Sequence, residues 1–93
     1  VALETFLGLL DRKLRRLGEA ADAENAEEAR RAAHALAGAA GNVAARALEG
    51  ALRDVEGSAR IGELHEVREA IPELERLAQE TRRQMKAFRE EME

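Results

Sequence analysis

The chain has 93 residues, of which 45% are hydrophobic and only 2% aromatic, and it contains no cysteine. Twenty of the hydrophobic residues are Ala and twelve are Leu, a composition that favours helices over strands and allows one small domain. A disulfide framework and a thiolate metal site are excluded, and the net charge of -4, spread along the chain, argues against nucleic acid as a partner.

The sequence also argues against a membrane partner. No apolar run approaches the roughly 20 residues that span a bilayer, and no signal peptide pattern is present. We therefore expect a cytoplasmic monomer without direct membrane contact. We interpret residues 1–93 as one domain. The start at Val1 rather than Met is compatible with excision of this domain from a larger protein.

The first half of the chain predicts two amphipathic helices. The first has an apolar stripe at alternating steps of three and four, formed by Leu3, Phe6, Leu7, Leu10, Leu14 and Leu17. Asp22–Asn25 supplies turn and N-cap residues. A second helix is predicted over about Glu24–Ala40, with a mostly alanine inner face of Ala26, Ala29, Ala33, Leu36, Ala37 and Ala40. Gly41–Asn42 predicts a break after it.

The second half predicts two further helices. The third, over about Ala44–Ser58, would bury Leu48, Leu52, Val55 and Ala59, with Gly57–Ser58 and Gly62 around the next turn. The last has a stripe of Leu64, Val67, Ile71, Leu74, Ala78, Thr81, Met85, Phe88 and Met92. This stripe keeps phase across Pro72, which predicts one kinked helix of about 30 residues whose end overhangs its partners. The fold class is all-α, an antiparallel up-and-down four-helix bundle.

His34 lies on the solvent-facing shoulder of the second helix, when residues are placed at about 100° intervals. Its neighbours one turn away are Arg30 and Arg31 on one side and Ala37 and Gly38 on the other. Glycine inside a helix costs about 1 kcal/mol relative to alanine. Gly38 therefore indicates a flat patch, beside which another protein could approach an exposed imidazole.

The segment from Ala33 to Ala44 resembles the signature of histidine phosphotransfer (HPt) domains of bacterial phosphorelays. In these domains the histidine is followed by an aliphatic residue, a glycine, two small residues and a second aliphatic residue at set positions. The matching residues are Leu36, Gly38, Ala39, Ala40 and Val43. The helix pattern and the stretch Ile71–Leu74 are also similar to the family. Ala37 stands where the family usually has lysine, and Ala44 where glycine is common.

The resemblance implies that His34 accepts a phosphoryl group through Nε2 from a receiver-domain aspartate and passes it to another receiver. It implies a phosphocarrier rather than an enzyme, alone or within a hybrid sensor histidine kinase. The partners would be response-regulator receivers and a sensor histidine kinase. The domain would need no cofactor of its own, since the receiver supplies Mg²⁺.

Cationic side chains near His34 have two interpretations. Arg30 or Arg31 could stabilise the phosphoryl group in place of the lysine that Ala37 lacks, because a guanidinium suits phosphate oxygens. Alternatively, both are solvated residues paired with Glu27 or Glu28. Arg46 or Arg53 would lie at the rim of the docking surface.

Two other functions stay open. One is a degenerate HPt-like docking or scaffold bundle without phosphotransfer, which Ala37 favours. The other is the kinase-fed substrate domain of a chemotaxis-type histidine kinase, which the local motif does not separate from a relay. His65, beside Glu63, Glu66 and Glu69, could bind a metal ion. We favour a solvated helix start there and predict no metal site.

Overall fold

The computed structural model describes residues 2–42 and 45–92, which form four α-helices. These are α1 Ala2–Asp22, α2 Ala26–Asn42, α3 Arg46–Arg60 and α4 Leu64–Met92. Helices α1 and α3 each pack against both α2 and α4. Short connections reverse the chain between consecutive helices, so the predicted antiparallel up-and-down bundle is confirmed. The molecule is elongated, with extents of 45 × 20 × 19 Å.

Leucine and alanine fill the core. The largest fully buried side chains are Leu10, Leu17, Leu36, Leu48, Leu52, Val67 and Leu74, and each contributes about 1.5–3 kcal/mol through the hydrophobic effect. Helix α2 adds a face of small residues, namely Ala29, Ala32, Ala33, Ala37 and Ala40. Because these side chains are short, α3 approaches the backbone of α2 closely.

The turn between α1 and α2 follows the predicted capping. Glu24 has a positive φ of 56°, which reverses the chain, and the side-chain Oδ1 of Asn25 accepts a hydrogen bond of 3.1 Å from the backbone N–H of Glu28. This bond satisfies one of the donors left free at a helix start. Helix α2 therefore begins at Ala26 rather than at Glu24.

Two helices run two residues further than predicted. Gly41–Asn42, predicted as a break, lies inside α2, and α3, predicted to end at about Ser58, continues to Arg60. Glycine and asparagine permit the left-handed backbone but do not require it, so packing decides. Gly41 lies directly against the Glu49 carboxylate, which would be only 2.8 Å from an added Cβ. The turn after α3 depends instead on Gly62, whose φ of 79° few other residues adopt.

Helix α4 runs through Pro72 as one helix of 29 residues. Its stripe is buried or half-buried as far as Thr81, whose hydroxyl donates a hydrogen bond of 2.8 Å to the Leu77 carbonyl. Beyond the half-buried Met85, Phe88 is 64% exposed, so the helix end projects past the packed core. The kink at Pro72 stays a prediction. Predictions on Leu3, Val43, Ala44 and Met92 fall outside the residues or side chains that the structure describes.

Within residues 2–42 and 45–92, no helix is both long enough and apolar enough to cross a bilayer.

Candidate functional site

His34 lies halfway along α2 on the side that borders α3. Its side chain is 63% exposed, whereas Ala33 and Ala37 beside it on the helix are fully buried. The imidazole therefore projects from a backbone that the core holds in place.

Glu56 of α3, which was not among the predicted site residues, holds the imidazole. Its Oε2 lies 2.9 Å from Nδ1 of His34. Although it carries a carboxylate, Glu56 is only 6% exposed. A buried charge is stable only when other groups pair with it and hydrogen-bond to it. His34 is one of the three side chains that do so.

Two arginines on the same helix supply the other contacts to Glu56. Arg60 Nη2 donates a hydrogen bond of 3.3 Å to Oε2, and Arg53 Nη1 lies 3.5 Å from Oε1. Burial acts to raise the pKa of Glu56. The hydrogen bond from His34 and the positive charges around the carboxylate outweigh burial, and the pKa lies below its ordinary value. Glu56 is therefore ionised at neutral pH.

The ionised Glu56 determines which imidazole nitrogen is free. A carboxylate can only accept hydrogen bonds, so the proton of a neutral His34 ring is placed on Nδ1. Nε2 then carries the unshared electron pair. Because Nδ1 points towards α3, Nε2 points away from Glu56. The contact thus both orients the ring and leaves the outer nitrogen available as a nucleophile.

A sequence signal for Glu56 does exist. It follows Leu52 by four residues and precedes Ala59 by three, so it borders the buried stripe of α3. An acidic residue at such a position, with Arg53 and Arg60 at helical spacing, indicates a carboxylate that needs partners. The sequence does not show that the partner is His34, because that depends on how α2 and α3 are aligned.

The two residues one turn after His34 face different ways. Gly38, one turn further along α2, is exposed, and an added Cβ would meet no heavy atom within 4 Å. The surface there is open to an approaching protein. Ala37 faces inward and is fully buried, so the position where the family usually has lysine presents no charged group.

Arg30 and Arg31 are both bound to Glu27. Arg30 donates to both carboxylate oxygens, with Nη2–Oε1 at 2.8 Å and Nε–Oε2 at 3.2 Å, and Arg31 Nε donates to Oε1 at 3.2 Å. The hydrogen bond from Arg30 lowers the pKa of Glu27. Arg31 thus makes the contact expected of a solvated ion-pair face. Arg30 is only 30% exposed, and its pKa is raised by Glu27 and also by the charge of Glu56. Arg46 is exposed at the start of α3, about 15 Å along the helix from Glu56.

His65 makes a simpler contact. Its Nε2 lies 2.7 Å from Oε1 of Glu69 on the same helix, and both side chains are exposed. In the part of the chain that the structure describes, no three His, Cys, Asp or Glu side chains are grouped to hold a metal ion.

One protein family and one solved structure are similar to this chain. The profile of the Hpt domain family matches residues 1–93. The crystal structure of histidine-containing phosphotransfer protein B (HptB) from Pseudomonas aeruginosa PAO1 is similar, with a TM-score of 0.91 and 34% identity over 98% of this chain and 79% of that chain. No curated protein matches. The chain therefore belongs to the Hpt domain family and is a histidine phosphotransfer intermediate of two-component phosphorelays.

Proposed function

We propose that His34 is the residue that carries the phosphoryl group, taking it from a receiver-domain aspartate and passing it to another receiver. The observation that carries the proposal is the contact of 2.9 Å between Nδ1 and the buried Glu56. It holds an exposed ring in one orientation with Nε2 outward. The open surface at Gly38 lets a partner reach that nitrogen.

The proposed transfer is an in-line displacement at phosphorus. The unshared pair of His34 Nε2 forms the N–P bond, while the bond between phosphorus and the aspartyl oxygen breaks and its electron pair leaves with the aspartate. Nδ1 keeps its proton, so the ring becomes positively charged. Glu56 already lies at hydrogen-bond distance and stabilises the new charge. Transfer onward runs the same steps in reverse.

The two proteins divide the work. Phosphoryl transfer depends on positioning and on charge stabilisation, and the receiver supplies Mg²⁺ and most of that stabilisation. This chain supplies the nucleophile, its orientation and a docking surface, with Arg46 or Arg53 at the rim. We therefore propose a phosphocarrier that has no turnover and no cofactor of its own.

The test is phosphoryl transfer from a panel of phosphorylated receivers to the wild type, His34→Ala and His65→Ala. We expect acid-labile, base-stable phosphate on the wild type and His65→Ala, and none on His34→Ala. His65→Ala is a matched control, because it also removes an exposed imidazole that is paired with a glutamate. Label that persists in His34→Ala contradicts the assignment.

The same experiment separates the alternatives. Label that comes from a histidine kinase with ATP, but from no receiver, indicates the kinase-fed substrate domain. Absence of label from every donor indicates a scaffold, the alternative that the buried Ala37 favours because no cation comes from that position.

A further inference from the structure

A phosphoryl group on His34 needs a nearby cation, because it brings about two negative charges at pH 7. On α2 the arginines are already engaged: Arg30 makes two hydrogen bonds to Glu27 and Arg31 makes one. A cation that moves to the phosphoryl group therefore comes more readily from α3, the helix that faces His34.

Arg53 of α3 is held more loosely than those arginines. Its Nη1 lies 3.5 Å from Glu56 Oε1 and its Nη2 lies 3.5 Å from Glu49 Oε2. Both distances are long for hydrogen bonds of this kind. The side chain is 47% exposed, so it can change rotamer without disturbing the core.

The alignment of the two helices brings Arg53 close to His34. Glu56 contacts His34, and one end of α3 contacts α2 through Glu49 and Gly41. Arg53 lies between these two contacts along α3 and is therefore at the level of Gly38. Gly38 has no side chain, and an added Cβ there would meet no heavy atom within 4 Å, so residue 38 places no side chain between Arg53 and the imidazole.

Phosphorylation also changes what Glu56 requires. Before transfer, His34 donates a hydrogen bond as a neutral ring, and the arginines supply the positive charge for the carboxylate. Transfer turns the ring, whose Nδ1 lies 2.9 Å from Oε2 in the structure, into a cation, so the carboxylate gains a full counter-charge. The attraction of Glu56 for Arg53 therefore falls at the moment when a phosphoryl group appears on His34.

We propose that Arg53 leaves Glu56 on phosphorylation and binds the phosphoryl group on Nε2. Arg60 stays on Glu56, because it is the arginine with a hydrogen bond to that carboxylate. The guanidinium fork can donate to two phosphoryl oxygens at once. This inference rests on the proposed role of His34.

The experiment uses phosphoramidate, a small phosphoryl donor that bypasses receiver docking, to label His34 in the wild type and in Arg53→Gln, Arg53→Lys, Arg31→Gln and Arg46→Gln. The ionisation of the phosphoryl group is then followed by ³¹P NMR against pH. A bound arginine stabilises the dianion, so Arg53→Gln should weaken its ionisation about tenfold, a rise of about one pKa unit. Arg53→Lys should restore most of the effect.

Arg46→Gln is the matched control for this titration, which involves no receiver and so does not depend on docking. Arg46 lies seven residues earlier on the same face of α3, and the variant should titrate like the wild type. In the wild type, the Nε–H signal of Arg53 should move on phosphorylation. A titration of Arg53→Gln identical to the wild type overturns the inference, as does a shift in Arg31→Gln alone. Failure to label His34 at all would overturn the proposed function too, so the two failures are distinguishable.

Discussion

Two exposed histidines, each in contact with a glutamate, have different surroundings. His34 is 63% exposed and His65 is 75% exposed, and their glutamate contacts are 2.9 Å and 2.7 Å long. Glu56, the partner of His34, comes from another helix and its side chain is 8% exposed. Glu69, the partner of His65, lies one turn along the same helix and is 66% exposed.

The difference shows what makes a helix surface into a site. An exposed pair on one helix contributes a few tenths of a kcal/mol and exchanges freely with water. A buried carboxylate has a fixed position, because the core and two arginines hold it. His34 is therefore oriented by the tertiary structure, whereas His65 is not.

The largest expected effect concerns the core beneath each histidine. Leu52 is fully buried one turn from Glu56, and Leu64 is half-buried beside His65. Leu52→Ala should lower the free energy of unfolding by about 2–5 kcal/mol, and Leu64→Ala should lower it by less. Urea unfolding measures both, and equal losses would contradict the comparison.

Removing each glutamate tests the orientation directly. Glu56→Ala should slow phosphorylation of His34 about ten- to hundredfold, since a hydrogen bond to a charged group contributes about 1.5–3 kcal/mol. Glu69→Ala should leave the rate unchanged. Glu56→Gln should be intermediate, because an amide oxygen still accepts the Nδ1 proton but lacks the charge. The rate of labelling by a phosphorylated receiver is the measurement; similar rates for the two alanine variants would refute the role of Glu56.

The glycine near each histidine sharpens the contrast. Gly38→Ala should stabilise the bundle by up to about 1 kcal/mol, because the added Cβ enters open space. Gly62→Ala should destabilise it, because a φ of 79° strains a residue with a Cβ. Thermal unfolding measures both changes.

A larger side chain then tests docking. Gly38→Leu should slow transfer from a receiver while leaving labelling by phosphoramidate intact. A receiver that transfers at the wild-type rate would exclude docking at this patch.

The smallest expected effect is on the pH dependence of stability, where the two regions have opposite signs. The pKa of Glu56 lies below 4.5 in the folded protein, so its stabilisation is present above that pH and is lost as the pH falls through the lowered value. The pKa of Glu63 is raised above 4.5 by the hydrogen bond between Glu63 and Glu66. The contribution of Glu63 to stability therefore declines as the pH rises through the raised value.

The variants test these signs. Glu56→Gln should flatten the acid-side loss of unfolding free energy, and Glu63→Gln should raise that free energy at neutral pH. Unfolding measured from about pH 3 to pH 7 distinguishes them. If the free energy of unfolding changes with pH at the same slope in both variants, neither carboxyl carries the pH dependence assigned to it.

Much of this molecule follows from residue spacing. The steps of three and four identify four amphipathic helices, place His34 outward and put Gly38 beside it, because the helical period alone determines which residues share a face. Helix ends are less determined. Gly41–Asn42 carries the local signal of a break, but its contact with α3 at Glu49 is invisible in the local sequence.

The amino-acid order by itself determined the bundle, the buried stripe of each helix and the exposed imidazole. Only the tertiary structure decided that Glu56 meets Nδ1 of His34 and that Arg53 and Arg60 surround that carboxylate. The physical reason is that contacts between helices depend on their relative alignment along the bundle. That alignment is set by the packing of the whole core rather than by any segment of the chain.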